Sequence, residues 1–279
     1  MKRREFLSLG TRLGLGVALG AVSLAPAQSG DPPMTATKHK RVFITGSSDG
    51  LGYLAAETLL SQGHEVVVHV RNPARMEAVK KLVERGAKAT VGDLSDMAQI
   101  RELARQVNDL GRMDAVIHNA GVFSGPHVLM VNTVAPYLLT ALIHRPQRLI
   151  YISSAMHLGG STDLSKIDRT GKTATYSDSK LYVTTLAMAV ARLWPDVYSN
   201  AVNPGWVPTR MGGPNAPDDL HLGHATQEWL AVSDDPEART SGSYWHHKRR
   251  TEPHPAVHDM KFQNRLLEVL AAATGTRLE

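Results

Sequence analysis

The chain contains no cysteine. Disulfides, thiolate nucleophiles and cysteine-based metal sites are therefore excluded, whatever compartment it occupies. Aromatic residues make up only 5% of its 279 positions, and no basic stripe interleaved with aromatics runs through the body. That excludes a nucleic-acid footprint. The net charge of +5 does not restore one. Lys2, Arg3, Arg4 and Arg12, set against Glu5, place +3 in the first 27 residues and leave +2 for the rest. The one basic run of the body, His246-His247-Lys248-Arg249-Arg250, is short and reads as a solvated loop. The histidines at 221, 224, 246, 247, 254 and 258 do not read as a metal site, because Pro253 and Pro255 break the helix that an i,i+4 pair needs. No internal repeat or low-complexity segment is present.

What remains is a globular chain, 42% apolar and long enough for one large domain with a well-buried core. Its first residues read as an address. Arg3 and Arg4 precede Phe6-Leu7, a mild apolar stretch runs from Leu7 to Leu24, and Ala25-Pro26-Ala27 follows as a small-x-small cleavage pattern. Charged start, modest apolar middle and small-residue end make a secretory signal. The paired arginines resemble the twin-arginine export signal. That resemblance implies the twin-arginine export machinery as a partner, passage in the folded state and a periplasmic destination. An uncleaved membrane anchor and a cytoplasmic protein with a frayed basic start are the alternatives. The expected organisation is a signal over residues 1–27, a linker over 28–39 and one domain over 40–279.

Within that domain, strand-like and helix-like segments alternate. Strands are expected at Arg41–Thr45, Glu65–Val70, Lys88–Gly92, Ala115–Asn119, Arg148–Ser153 and Tyr198–Val202. Helices are expected at Leu51–Gln62, Ala74–Arg85, Met97–Leu110, Val131–Ile143, Ala174–Trp194 and Gln263–Ala273. Glu65–Val70 is apolar on both faces apart from His69, which marks a strand covered on both sides. The alternation implies an α/β, doubly wound parallel sheet, a Rossmann fold in a single domain, with ligands at the carboxyl ends of the strands. Trp206 to Trp229, with Pro208, Gly212, Gly213, Pro214 and Pro217, reads as an irregular loop over the pocket. Trp206, Met211, Leu220 and Leu222 are expected to form an apolar wall there.

Two motifs carry the chemistry. Thr45-Gly46-Ser47-Ser48-Asp49-Gly50-Leu51-Gly52 lies between the first strand and the first helix. Gly46, Gly50 and Gly52 are spaced for a sharp turn that lets backbone approach a phosphate, and the helix start at Gly50-Leu51 points free N–H groups at a pyrophosphate. Downstream, Tyr176 and Lys180 stand four apart on a helix and share one face. A free phenol titrates near ~10, and a neighbouring ammonium favours the phenolate, which suits proton transfer to a carbonyl.

The spacing T-G-x-x-x-G-x-G resembles the short-chain dehydrogenase/reductase family, and further motifs of that family follow in order over about residues 40 to 211. By this resemblance, Gly46, Ser48, Asp49, Gly50, Leu51 and Gly52 hold the pyrophosphate, Asp93-Leu94 contacts adenine and Asn119-Ala120-Gly121 passes beside the cofactor. Pro204, Gly205, Val207 and Thr209 match the segment that holds the nicotinamide amide. Asn132, Ser154, Tyr176 and Lys180 match the catalytic group. Tyr176 would be the general acid/base, and Ser154 would hydrogen-bond the substrate oxygen. Lys180 would hold the ribose and tune Tyr176, and Asn132 would hold a water that relays protons to Lys180. Plainer readings exist: Asn132 as the cap of a Thr133–Ile143 helix, and Tyr176 as half-buried packing.

The second strand ends Val70-Arg71-Asn72 with no acid to accept the ribose hydroxyls. Arg71 is placed to pair with a 2′-phosphate, so NADP(H) is expected rather than NAD(H). An arginine capping the next helix is the alternative. The segment Asn203 to Thr209 resembles the retinol-dehydrogenase-like branch, and the tail resembles ketoreductases of anthracycline-type polyketides. The expected function is interconversion of an apolar carbonyl compound and its alcohol, with a nucleotide-binding protein lacking turnover as the alternative. Gly121 to Asn132 leaves little room for the helix that the resemblance to the family implies there, one that often contributes to subunit packing, so the chain's state as a homo-oligomer is left open.

Overall fold

The computed structural model describes residues 39–167 and 174–279. The leader and all but the end of the linker read from the sequence lie outside the described residues. In chain order the strands are β1 (Arg41–Ile44), β2 (Glu65–Val70), β3 (Lys88–Val91), β4 (Ala115–His118), β5 (Arg148–Ile152), β6 (Tyr198–Asn203), β7 (Tyr244–His246) and β8 (Arg249–Arg250). The α-helices are α1 (Gly50–Ser61), α2 (Lys80–Glu84), α3 (Met97–Asp109), α4 (Ala135–Leu142), α5 (Tyr176–Leu193), α6 (Leu220–Val232) and α7 (Met260–Thr274).

One sheet runs in the order β3-β2-β1-β4-β5-β6-β7-β8. All neighbours are parallel except β7 and β8. The α/β doubly wound class expected from the alternation therefore holds. Alternate strand residues feed two cores, as the pleat demands. Val42, Ile44, Val68, Ile117 and Val202 pack beneath α1, α2 and α6. Phe43, Val67, Val116, Leu149 and Ala201 pack beneath α3, α4, α5 and α7. Strand order reverses at β1, which pairs with β2 on one side and β4 on the other. The crevice beyond the ends of β1 and β4 is thus the place where this topology puts a ligand.

Four segments depart from the sequence reading. Residues 73–84 are not one helix. A 3₁₀ turn spans Pro73–Val79 before α2. The buried or half-buried Met76, Val79 and Leu82 recur every three residues, which fits three residues per turn. The Val131–Ile143 helix opens as a π turn over Met130–Val134, with Ala135 N–H reaching the Met130 carbonyl. Pro136 has no N–H to give the carbonyl four residues back, that of Asn132, so the ladder widens there. Asn132 accordingly lies inside this turn and does not cap a helix.

The presumed loop Trp206–Trp229 is irregular only to Asp219, whose side chain accepts from Leu222 N–H to start α6. The polar residues His224, Gln227 and Glu228 on the buried side of α6 hid its helical period. Finally, the run His246 to Arg250 is not a plain loop. It forms the β7–β8 hairpin, turning through His247 (φ 49°) and Lys248 (φ 59°).

Candidate active site

The turn after β1 is held from three sides. Thr45 Oγ1 accepts N–H groups from Asn119 (2.9 Å) and Ala120 (3.0 Å), tying the end of β1 to the end of β4. Asn119 Nδ2 donates back to the Thr45 carbonyl at 3.0 Å. Gly46 adopts φ +66°, and a Cβ there would stand 2.8 Å from Ala120 Cα. A Cβ on Gly52 would collide with the Asn119 amide. Only glycine fits either place. Asp49 caps α1 by accepting Gly50 N–H at 2.7 Å. Across the opening, Thr209 approaches Gly50 so closely that a Cβ on Gly50 would touch its methyl at 3.6 Å. A cleft of about 780 Å³ opens at Ser48, Asp49, Gly50 and Thr209 and runs along α1 and α2 to Glu77, Lys81 and Glu84; Ser154, Tyr176 and Lys180 do not line it.

Of the other residues expected around a cofactor, Leu51 is half-buried at the start of α1 and Arg71 is exposed at the end of β2. Arg75, which the sequence reading did not single out, reaches Ser48 Oγ at 3.5 Å. Asp93 turns its carboxylate onto Ser95, accepting from both its N–H and its hydroxyl. Leu94 is buried in the core with Phe43 and Val67, so its side chain is not turned toward an open surface for adenine, and Asp93 is half-buried. Pro204 and Val207 are buried. Gly205 has φ +85°, and Asp218 accepts the following N–H, that of Trp206, at 2.5 Å.

Ser154, Tyr176 and Lys180 converge. Thr175 and Asp178 form a reciprocal capping box that starts α5 at Tyr176. Asp178 also accepts Ser161 N–H (2.7 Å) and Lys166 Nζ (2.9 Å), fastening the preceding segment to this helix start. Ser154 lies near enough to the Tyr176 phenol to favour its ionised form. Lys180 is 3% exposed. Its Nζ donates to the Ile152 carbonyl at 2.7 Å and lies 5.4 Å from the centre of the Tyr176 ring.

The charges differ from the sequence expectation. Burial raises the Tyr176 phenol above its ordinary value, and the nearby Ser154 hydroxyl acts against that. Burial lowers Lys180 to about 8. In the chain alone, desolvation outweighs the pull of the amine on the phenol.

Asn132 is buried among them. Its amide exchanges two 2.9 Å hydrogen bonds with the Val122 backbone and donates to Ser179 Oγ at 3.0 Å. It braces Gly121-Val122, a task beyond the water-holding one the resemblance implies. A Cβ on Gly121 would lie 3.5 Å from Asn132 Oδ1, 3.6 Å from Lys180 Nζ and 3.8 Å from Met211 Cε. Gly121 thus leaves a bare floor between the two.

Besides Arg75, the sequence reading gave no role to three residues of the site. Phe123 sets its ring 4.9 Å from that of Tyr176 and is 53% exposed. His157 is fully buried. Its Nδ1 donates to the Ser154 carbonyl at 2.8 Å, and its Nε2 accepts His254 N–H at 2.9 Å. His69 is described below. A buried histidine within an apolar run was the available signal for His69, whereas nothing local marks Phe123 or His157.

The bare floor at Gly121 and the two glycine approaches fit a dinucleotide laid across the ends of β1 and β4. Comparison with known proteins agrees with that fit. Residues 40–219 match the family model described as short chain dehydrogenase. An uncharacterized oxidoreductase of Emericella nidulans is 37% identical over 250 residues, 84% of this chain and 97% of its own length. A Streptomyces protein named for daunorubicin C-13 ketoreduction is 31% identical over 85% of this chain and 93% of its own. Human retinol dehydrogenase 13 is 27% identical over 94% and 93%. Among solved structures, a blue fluorescent protein from a metagenomic library in complex with NADPH has the same fold. Its TM-score is 0.62 at 22% identity, covering 74% of this chain and 95% of that one. Both branches the sequence resembles are represented among these relatives. The chain belongs to the short-chain dehydrogenase family and is an oxidoreductase of that family.

Proposed function

We propose that this enzyme interconverts a bulky, apolar carbonyl compound and its alcohol with NADP(H). The convergence of Ser154, Tyr176 and Lys180 beside the glycine turn carries this reading. A bound nicotinamide supplies or takes up the hydride. The turn from Gly46 to Gly52, with Ser48, Asp49, Gly50 and Leu51, holds the pyrophosphate, and Asn119, Ala120 and Gly121 form the floor beside it. Asp93 and Leu94 are assigned to the adenine end through their backbone. Pro204, Gly205, Val207 and Thr209 face the nicotinamide end. Arg71 pairs with the 2′-phosphate, supported by Arg75, whose guanidinium already lies at Ser48. The NADPH-bound relative in fold is consistent with this choice.

Lys180 holds the ribose. Tyr176 Oη gives a proton to the carbonyl oxygen in reduction and takes one back in oxidation. Burial keeps that phenol protonated at neutral pH, as donation requires. Ser154 Oγ hydrogen-bonds the same substrate oxygen as charge develops on it. Asn132 braces the floor and relays protons from Lys180 through a water. The apolar substrate class rests on Phe123, Met156, Leu158, Trp206 and Met211, all exposed on segments that follow β4, β5 and β6.

Tyr176→Phe tests the reading. NADPH binding, followed by fluorescence titration, should survive. Turnover on a panel of apolar ketones should fall by ~10²–10⁴. Persistent turnover would remove Tyr176 from its role, and a chain that binds NADPH yet reduces none of the panel would be a nucleotide-binding protein. We extend the proposal to export through the twin-arginine route, on the strength of Arg3-Arg4 and the segment to Ala27. An exported enzyme of this kind keeps its cofactor bound and recycles it on a second carbonyl or alcohol. Protein purified from the periplasm should then carry nucleotide.

A further inference from the structure

His69 sits near the end of β2, whose run from Val66 to Val70 is otherwise apolar and buried. Only 3% of it is exposed, and nothing in the proposed chemistry uses it. Its Nδ1 lies 3.0 Å from Gly46 N, and its Nε2 lies 2.7 Å from the Gly92 carbonyl. Its own N–H donates to Ser47 Oγ at 2.8 Å. Gly46 N–H can only donate, so Nδ1 accepts; Gly92 O can only accept, so Nε2 carries the proton. One neutral tautomer satisfies both contacts. Burial, against the pull of the Gly92 carbonyl and the Asp93 charge, lowers the ring to about 4, so that tautomer persists through the neutral range.

The contacts fall at a telling place. Gly46 follows β1 and Gly92 follows β3, so a single ring spans the ends of three adjacent strands. Those ends bear the glycine turn, the arginine segment after β2 and Asp93-Leu94. They are the three segments assigned above to the pyrophosphate, the 2′-phosphate and the adenine of the dinucleotide. A valine would suit this apolar strand without any polar group to satisfy. A histidine is tolerated because both ring nitrogens are paired. What it pairs is the backbone of the turn at its left-handed residue, Gly46 at φ +66°.

We propose that His69 is a positioning residue that presets the glycine turn for the dinucleotide, acting chiefly through its bond to Gly46 N–H. The proposal rests on the reading of the cleft as a dinucleotide site. It follows that Gly46 N–H is engaged by the ring and is not one of the donors offered to phosphate.

Three variants separate the two ends of the ring. His69→Asn keeps an acceptor near the Nδ1 position, His69→Gln keeps a donor near the Nε2 position, and His69→Val keeps neither. NADPH and NADP⁺ affinities are measured by calorimetry on each purified variant, with thermal midpoints and kcat at saturating NADPH alongside. His69→Gln and His69→Val should bind both nucleotides about tenfold more weakly, the effect of leaving one part-buried donor, Gly46 N–H, unpaired. His69→Asn should stay within about threefold of the unsubstituted chain, and kcat at saturation should stay within about twofold throughout. Should His69→Val fail to fold, the Asn and Gln pair still decides. Equal affinity in His69→Gln and the unsubstituted chain overturns the inference alone. So does an affinity loss in His69→Asn as large as in His69→Gln, which would make the ring a purely structural tie. Failure of the unsubstituted chain to bind either nucleotide overturns the proposed function, and this inference with it.

Discussion

Lys180 carries a cost that can be measured. It is buried on α5, and its amine has the Ile152 carbonyl as its hydrogen-bond acceptor. Burial brings it from 10.5 to about 8, which corresponds to about 3 kcal/mol of penalty on the charged form. The sign follows from linkage. The folded state releases its proton near pH 8, whereas the unfolded chain holds it to about 10.5. Stability therefore rises with pH across that window, and the full penalty is felt below it. Lys180→Met fills similar volume without a charge, but it leaves the Ile152 carbonyl short of a donor, a loss of about 1 kcal/mol. The net expectation is a cofactor-free protein about 2 kcal/mol more stable at pH 7, or roughly 4–8 °C in Tm for a domain of this size. Turnover should be lost. Urea denaturation of both proteins between pH 7 and pH 10.5 is the assay, read as the difference between them so that other titrating groups cancel. The variant's advantage should vanish toward pH 10.5. A variant less stable than the parent at pH 7, or an advantage that does not change with pH, would refute the reasoning.

Two further outcomes follow from the same structure. Arg71→Ala should raise the KM for NADPH by about 10- to 100-fold, the range for losing charge-assisted bonds to a phosphate, and leave that for NADH within about threefold. Equal loss with both nucleotides would return Arg71 to the role of a surface residue. Replacing Arg3 and Arg4 together by lysine should hold the full-length protein in the cytoplasm of an exporting bacterium, as cell fractionation reads it. Undiminished periplasmic protein would count against the twin-arginine route.

Most of the sheet could be read from the sequence because its strands are short apolar runs between turn residues, and β1 to β6 fall within a residue of the expected places. The elements that escaped did so for physical reasons. α6 buries His224, Gln227 and Glu228, so its covered side does not look apolar. β7 and β8 are three and two residues long, too short for any alternation to declare itself. The π turn before α4 is invisible to a helical pattern, because the pattern counts side chains while the cause is the missing N–H of Pro136. In the site, Ser154, Tyr176, Lys180 and the glycines stand in recognisable spacing. The partners that fix them do not. Ser179 under Asn132 and Phe123 against Tyr176 are brought in by tertiary contact from other elements, and His157 reaches back to Ser154 only because a 3₁₀ turn forms over Ala155–Gly159.

Those partners divide the site into a rigid back and an open front. Every residue of α5 from Asp178 to Val190 is buried, and so is α4 from Ala135 to Thr140. The C-terminal segment is what closes over this side of the sheet. α7 packs Leu266 and Leu270 into the same core. Beyond it, the Tyr137 hydroxyl donates to the Thr276 carbonyl at 2.7 Å, and Trp194 Nε1 donates to the Glu279 carbonyl at 2.8 Å. The helix that carries Tyr176 and Lys180 thus has little freedom to shift. The residues facing a substrate are the reverse case: Trp206 is 59% exposed and stands on a loop held mainly by its own bonds, to Asp218 and to the Gly212 carbonyl. Proton transfer needs the back to be fixed, since misplacing the phenol by about 1 Å costs on the order of 10²-fold in rate. Acceptance of the bulky apolar compounds proposed above needs a front built from flexible methionines and exposed aromatic faces. This chain places each property on a different part of the fold, so under the proposed function Met156 and Met211 can vary to change substrate without disturbing Tyr176, whereas Phe123, packed on the Tyr176 ring, cannot.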